Sequence, residues 1–335
     1  MFICQIVASR GDGGLEKHVR ELSICLAEKG HRVLVVGDRQ FINTLPNSIE
    51  HKIINMRMSR YNPCLLFQLF IIFRHYKFDI IHAQADKAAR LVSFLNKVLK
   101  LPALATVHNI KKNYHIYDGF KHVIAVSKLI ASKINNLNVH VVYNGIKELT
   151  DDSLDLKSRF NLPDKPILCA VGRLVHAKGF DILLKAINGL NVNLVIAGTG
   201  PQQEALERTI SKLHPDTHAV LIGHQTDIPA IMRGADGVVI SSRREGFSYV
   251  LNEALLCEKK ILSTDVPVAN EILSKELIVP IDDVDALRTK IVYLLQNTSY
   301  WESLMIEAYV FSKNKMTLSL MTDNTVSIYK KFLKV

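Results

Sequence analysis

The chain is built on an alternation. Short apolar runs end in a glycine or polar turn, lead into a helical pattern, and give way to the next apolar run. "MFICQIVA", a Gly-rich turn and "LEKHVRELSICLAEKG" come first; Gly30 ends the helix and "HRVLVVGD" follows as the next strand. "FDIIHAQ", "ALATVHN", "HVIAVS" and "VHVVYNG" continue the series. Such runs, with helical segments between them, specify a parallel sheet with helices on both faces. After Gly145 the polar stretch "IKELTDDSLDLKSRFNLPDKP" reads as a linker, and a second series starts at "ILCAVGRL" and runs through "VNLVIAGTG", "AVLIGH", "DGVVISS" and "KILSTDV". The 335 residues therefore divide into two α/β domains of ordinary size. Ligands are expected in the cleft between two such domains, beyond the carboxyl ends of the strands, so the strand-to-helix loops are where chemistry is sought.

Charge separates the halves. Residues 1–150 carry 21 Lys and Arg against 10 Asp and Glu, a net +11; residues 151–335 carry 21 against 22, a net −1. Within the first half, residues 51–133 hold 14 basic and 3 acidic side chains. This asymmetry points to an anionic partner for the first domain, such as a membrane surface, a phosphorylated glycan or nucleic acid, or else to a generally basic surface. The longest apolar run, "CLLFQLFIIF" at Cys64–Phe73, is too short to span a bilayer and is broken by Gln68. The N-terminus has neither a basic n-region nor a small-residue cleavage site, so no signal peptide is expected. Cys4, Cys25, Cys64, Cys169 and Cys257 are odd in number and form no C-x-x-C pair; they read as buried thiols in a reducing compartment.

Four loops carry candidate chemistry. In "SRGDGGLEKHV", Gly11, Gly13 and Gly14 permit close backbone approach, and the helix behind them offers free N–H groups to an anion. The pattern is not G-x-G-x-x-G, which disfavours a nicotinamide dehydrogenase. In "VGRLVHAKGFD", Arg173 and Lys178 beside Gly172 and Gly179 suit a diphosphate: a fork and a point charge. Gly198 and Gly200 make a tight turn in "IAGTGPQQEAL", and Gly223–Asp227 could border a flat base. The fourth, "RREGFSYVLNEALLCE", sets Glu245 and Glu253 eight positions apart. An all-helical path between them would rise about 12 Å, more than the roughly 5–9.5 Å that separates a glycosidase carboxylate pair. Two separate hydroxyl contacts along an elongated ligand fit better, with the N–H groups of Gly246, Phe247 and Ser248 between them for negative charge. A sugar nucleotide has that layout.

"EGFSYVLNEAL" resembles the E-x7-E motif of the retaining glycosyltransferases of family 4. The segments "GGLEKHVRELSICLAEKGHRVLVV", "DIIHAQ", "TVHN", "AVSK", "VVYNGI", "VGRLVHAKGFDILLKAI", "LVIAGTGPQQEALE" and "IGHQTDIPAIMRGADGVVISS" resemble that family's other motifs in the same order. The resemblance implies a GT-B fold: two Rossmann-like domains facing a central cleft, residues 1–150 for the acceptor and 151–315 for the donor. Residues 316–335 would be a terminal helix returning to the first domain. It assigns Arg173 and Lys178 to the donor diphosphate, Glu245 to the transferred sugar, Glu253 to the ribose, and Gly13 and Gly14 to donor phosphates and acceptor. His108 falls beside the reacting sugar on this alignment; a core or capping histidine is the alternative. The sequence departs from the family at Glu258, where glycine is usual, and at Pro267–Val268, where a glycine pair is usual.

The function expected is a retaining hexosyltransferase that takes its sugar from a nucleoside diphosphate, taken as UDP, and passes it to a cell-envelope glycan or lipid-linked glycan. Lipopolysaccharide core or another surface polysaccharide is the expected product, made in the cytoplasm at the inner face of the membrane. No metal, other cofactor or nucleic-acid partner is expected. The D-x-D formed by Asp283 and Asp285 precedes an amphipathic stretch and reads as a helix cap. A GT-B epimerase of nucleotide sugars and a non-catalytic sugar-nucleotide or glycan-binding subunit remain as alternatives.

Overall fold

In the computed structural model of the chain, residues 1–9, 13–147 and 152–333 are described. Gly11, and residues 148–151 of the proposed linker, lie outside them. The chain forms two compact units: Met1–Lys147 with Lys315–Val335, and Glu148–Asn314.

The first domain is a seven-stranded parallel sheet. Its strands are β1 (Phe2–Val7), β2 (Arg32–Gly37), β3 (Glu50–Ile53), β4 (Ile80–Gln84), β5 (Ala103–Val107), β6 (Val123–Ala125) and β7 (Val139–Val141), ordered 3-2-1-4-5-6-7. β1, β4 and β5 are buried along nearly their whole length, polar Gln5, His82, Gln84 and Thr106 included, as central strands covered on both faces are. β3 is an exposed edge strand, "EHKI", too short and polar to stand out in the sequence.

The terminal helix Leu318–Leu333 belongs to this domain. It packs beside the first helix, Gly14–Glu28, where Met321, Val326, Ile328 and Tyr329 join a core with Ile3, Val19, Leu22 and Val35. The chain re-enters at a backbone crossing: Leu318 N–H donates to Ile146 O at 2.8 Å, and Ile146 N–H to Met316 O at 3.2 Å. A Cβ on Gly145 would stand 2.2 Å from Thr317 O, so only glycine allows that crossing.

The second domain repeats the plan with β8 (Ile167–Val171), β9 (Val192–Ala197), β10 (Thr217–Leu221), β11 (Gly237–Ile240), β12 (Ile261–Thr264) and β13 (Ile278–Val279), ordered 10-9-8-11-12-13. Both sheets reverse direction of growth beside their first strand, between β1 and β4 and between β8 and β11, and such switch points open a crevice at the strand ends. The stretch read as a linker holds a short helix, Leu156–Phe160, capped by Asp155.

From the sequence all five cysteines read as buried thiols, and one of them is not. Cys4, Cys25, Cys169 and Cys257 are buried thiols, but Cys64 is exposed. It occupies the first turn of the helix Pro63–His75, on the face turned away from Leu65, Leu69 and Phe73. Burial pushes the Cys257 thiol up to about 11, which keeps it protonated and inert.

Candidate functional site

In the second domain the switch crevice lies between the loop after β8 and the loop after β11, two strands that pair directly. Residues 172–179 form the first loop, including a short 3-10 turn at His176–Lys178. Gly179 follows at φ +65°, and a Cβ there would stand 2.0 Å from Ser241 O. The two loops thus pack backbone against backbone, and Ser241 Oγ donates to Lys178 O at 3.0 Å.

This contact brings Lys178 to Glu245. Lys178 Nζ lies 2.6 Å from Glu245 Oε1, with the lysine side chain 22% and the glutamate 9% exposed. Ser242 Oγ donates to the same carboxylate oxygen at 2.7 Å, and Thr264 Oγ1, at the end of β12, holds Ser242 O at 2.6 Å. Three adjacent strand ends therefore fix one carboxylate. Arg173 stands exposed on the same loop as Lys178, and among the described residues its side chain has no ionic or hydrogen-bonded partner. The site holds one cation already paired and one free to meet an anion.

Glu245 precedes the helix and Glu253 lies within it. The helix runs Tyr249–Leu256, with Ser248 as its N-cap accepting from Leu251 N–H at 3.3 Å. The path from Glu245 to Glu253 is therefore half loop and half helix, and the two carboxylates belong to different elements. Gly246 and Phe247 lie in the loop between Glu245 and the cap.

Gly198 follows β9, and a Cβ there would meet Gly172 O at 1.9 Å. Its glycine is demanded by the neighbouring loop, before any ligand is considered. Gly223, after β10, adopts φ +68° with open space around it, and its carbonyl accepts from Gly198 N–H at 2.8 Å.

A residue not singled out in the sequence organises these loops. Arg243 forks onto Asp181 at 2.7 and 2.8 Å, donates to His176 O at 2.8 Å, and reaches Asp282 at 2.5 Å. Burial raises the Asp181 carboxyl, but the hydrogen bonds and charge of Arg243 outweigh it and the net shift is downward. Arg243 so ties the Lys178 turn, the helix Phe180–Ile187 and the Glu245 loop together. The doublet "RR" before "EGFS" was the available signal.

Asp283 accepts from Ala286 N–H at 2.9 Å and caps the helix Val284–Gln296, with Asp285 in its first turn. The aspartates of the D-x-D are helix-terminal residues.

The first domain presents a different chemistry at its strand ends. Gln5, His82, Gln84 and Thr106 lie on one face of β1, β4 and β5, with His108 just beyond. Tyr329 of the terminal helix covers them. Its hydroxyl accepts from Gln5 Nε2 at 3.1 Å and donates to His82 Nδ1 at 2.7 Å; His82 Nε2 then donates to Thr106 Oγ1 at 2.6 Å. Gln84 Nε2 donates to Gln5 Oε1 at 2.8 Å, which leaves Gln84 Oε1 to accept from His108 Nε2 at 2.7 Å. This order of donors leaves the Nδ1 lone pair of His108 unused by the network.

Burial, then the neighbouring His18 and His82, holds the His108 imidazole well below its usual range, so it is neutral near pH 7. His18 packs edge-on against it at 4.7 Å. Burial lowers His18 to about 4; the nearby Asn144 side chain opposes this, although among the described residues the ring nitrogens have no hydrogen-bond partner. Polar residues at alternate positions in "IIHAQ" were the sequence signal for this network.

Gly13 has a contact of its own within the first domain. Its N–H donates to the Glu16 carboxylate at 3.0 Å, and Ser9 donates to the same group. That donor is occupied by a buried carboxylate at the start of the helix, while Gly14 is the first helical residue.

Comparison with known families agrees with this geometry. Residues 12–148 match the model for Glycosyltransferase Family 4, and residues 152–309 the model for glycosyl transferases group 1. The chain belongs to the family 4, group 1 glycosyltransferases. An uncharacterized glycosyltransferase of Methanocaldococcus jannaschii is 27% identical over 90% of each chain. An O-antigen biosynthesis glycosyltransferase of Escherichia coli is 22% identical over 77% of this chain and 80% of its own. Among solved structures, Anabaena HepE in complex with UDP superimposes with a TM-score of 0.87, at 18% identity, over 99% of this glycosyltransferase and 100% of HepE. That likeness establishes two Rossmann-like domains of the GT-B type.

At two of the positions where the resemblance predicts glycine, this glycosyltransferase adopts a positive φ with a side chain present. Glu258 sits at φ +52° and Val268 at φ +72°. Glu258 closes a Schellman turn: its N–H donates to Leu255 O at 3.0 Å and Lys259 N–H to Ala254 O at 2.9 Å. Val268 is fully buried, so its strained backbone is held by packing.

Proposed function

We propose that this glycosyltransferase is a retaining, metal-independent hexosyltransferase that uses a UDP-linked sugar. The observation that carries the reading is the Lys178–Glu245 pair at the β8/β11 switch point, with Arg173 exposed on the same loop as Lys178 and without a side-chain partner among the described residues. Arg173 and Lys178 bind the diphosphate, Glu245 the hydroxyls of the sugar, and Glu253 the ribose. Gly198 and Gly223 border the nucleotide, and the Gly246–Ser248 segment faces the phosphates. The first domain, with His108, Gly13 and Gly14, serves the acceptor side of the reaction.

In the proposed reaction the bond from the anomeric carbon to the leaving phosphate oxygen breaks, and the acceptor oxygen bonds to the same face. The acceptor proton passes to the leaving phosphate. Fixed cations stabilise the charge that develops there, so neither an enzyme nucleophile nor a metal is needed. His108 stays neutral and acts as a hydrogen-bonding group.

We assign the acceptor to a cell-envelope glycan or lipid-linked glycan and the protein to the inner face of the cytoplasmic membrane. The basic first domain and the O-antigen relative support this. No helix among the described residues is long and apolar enough to cross a membrane.

The test begins with thermal stabilisation by a panel of nucleotide sugars, since a bound donor raises apparent stability. The preferred donor is then incubated alone and with envelope glycan acceptors, in chelator. A product that keeps the anomeric configuration of the donor supports the proposal. Inversion, a strict need for manganese or magnesium, or conversion of the sugar with donor alone rejects it, the last in favour of an epimerase.

A further inference from the structure

The helix Pro63–His75 has a buried stripe, Leu65, Leu69 and Phe73, and an unusual opposite side. A surface helix normally turns charged residues outward. Here the outward positions are Phe67, 63% exposed, and Ile71, 49% exposed, with no charge before Arg74. The helix Ala85–Leu99 packs against it and repeats the pattern, with Phe94 54% and Val98 77% exposed. Exposed aromatic and aliphatic side chains at i, i+4 spacing on two neighbouring helices are an interaction surface.

A shallow depression of about 160 Å³ opens on the same part of the domain, lined by Arg60, Tyr61, Arg90, Phe94 and Lys97 among others. Among the described residues none of these three cations has a carboxylate partner. The Arg90 Nε is buried without a hydrogen bond, and the Arg60 guanidinium lies over the Tyr61 ring at 5.2 Å. Unneutralised cations in a pocket floored by aromatic rings suit a phosphate bearing a short polar tail. The apolar side chains beside it suit the hydrocarbon just below such a phosphate. An anionic bilayer presents both, at one depth and over a wide area.

We infer that the outer face of the helices Pro63–His75 and Ala85–Leu99 docks on an anionic phospholipid surface. Phe67, Ile71, Phe94 and Val98 enter the acyl boundary, and Arg60, Arg90 and Lys97 hold a lipid phosphate. This names the partner behind the peripheral location proposed above and rests on that reading. It does not depend on the donor assignment.

The full chain is sedimented with vesicles of phosphatidylcholine alone and with vesicles that also contain phosphatidylglycerol. Binding is expected only to the anionic vesicles, and it weakens in high salt. Phe67→Ser with Ile71→Ser should lower the bound fraction by about tenfold or more, as expected for two apolar anchors. Arg60→Gln with Lys97→Gln should remove the preference for phosphatidylglycerol. All variants should keep the wild-type melting temperature and its rise with UDP, so loss of membrane binding is separable from loss of the donor site. Equal binding to both vesicle types, or variants that bind as the wild type does, overturns the inference. So does a dimer in solution that Phe67→Ser dissociates, which would assign the face to a second copy of the chain.

Discussion

Lys178 and Glu245 are 67 residues apart in the chain and 2.6 Å apart in space. The cation proposed for the diphosphate is thus paired with the carboxylate proposed for the sugar, so removing either one changes the charge around the other. In Glu245→Gln, Lys178 loses its counter-charge and is released toward the diphosphate. We expect transfer to fall by about 10²-fold or more, the scale of one lost preorganised contact. Affinity for free UDP should hold or rise. Steady-state kinetics and UDP titration of this variant check both halves, and a parallel loss of UDP affinity contradicts the pairing.

Arg243 acts through the loops it holds. Its fork on Asp181 and its bond to Asp282 are charge-assisted contacts on a side chain only 14% exposed. Arg243→Gln should cost about 1.5–3 kcal/mol of stability and lower transfer. Arg243→Lys, which keeps the charge without the fork, should recover only part of each. Denaturation of the second domain with activity measured alongside reads this. Wild-type activity in Arg243→Gln would show that the loops are held without it.

Glu258 adopts a left-handed backbone that disfavours a side chain by about 1–2 kcal/mol. Its contact with Lys313 is exposed at both ends, so little is lost by removing it. Glu258→Gly should therefore raise the melting temperature of the second domain. Val268→Gly should not, because relief of the backbone is offset by emptying a buried site. A lower melting temperature for Glu258→Gly would place the stabilisation in the Lys313 contact.

His18, His82 and His108 are all buried with depressed values, the first at about 4, each chiefly through burial. The unfolded chain binds protons near pH 6.5, where the folded one does not. Stability is therefore complete above about pH 6.5 and falls as the pH drops toward about 4, because the unfolded state takes up more protons. Melting curves between pH 7.5 and 4.5 should decline steeply for the wild type and less so for His18→Gln. A flat profile would mean that the imidazoles are not buried as neutral groups.

How far the sequence anticipates this molecule depends on the range of each signal. The alternation of apolar strands and helices is local and strong, and it marks both sheets apart from their weak members. β3 is polar and exposed, and β13 has two residues, so neither carries a pattern. The cap role of Asp283 was legible because a cap is decided within four residues.

The same local view misplaced Cys64. An apolar run hides which helix face is inward when both faces are apolar. Arg243 was missed because its partners lie 39 and 62 residues away. The Tyr329 network was missed because Tyr329 lies 247 residues from His82 and 324 from Gln5. The absent glycines at 258 and 268 were visible in the sequence. That the backbone would keep their conformation without them was not, since packing of the surrounding domain imposes it.

The most direct test of the account is calorimetric titration of UDP and of the intact donor into the wild type, Arg173→Ala, Lys178→Ala and Glu253→Gln. Among the described residues Arg173 has no side-chain partner to lose, so its removal should leave folding untouched. Arg173→Ala and Lys178→Ala should each weaken both ligands by about 1.5–3 kcal/mol, as loss of a charge-assisted contact does, and Glu253→Gln should weaken UDP as well as the donor. Wild-type affinity in Arg173→Ala and Lys178→Ala for both ligands would contradict the account and remove the diphosphate from the β8/β11 crevice.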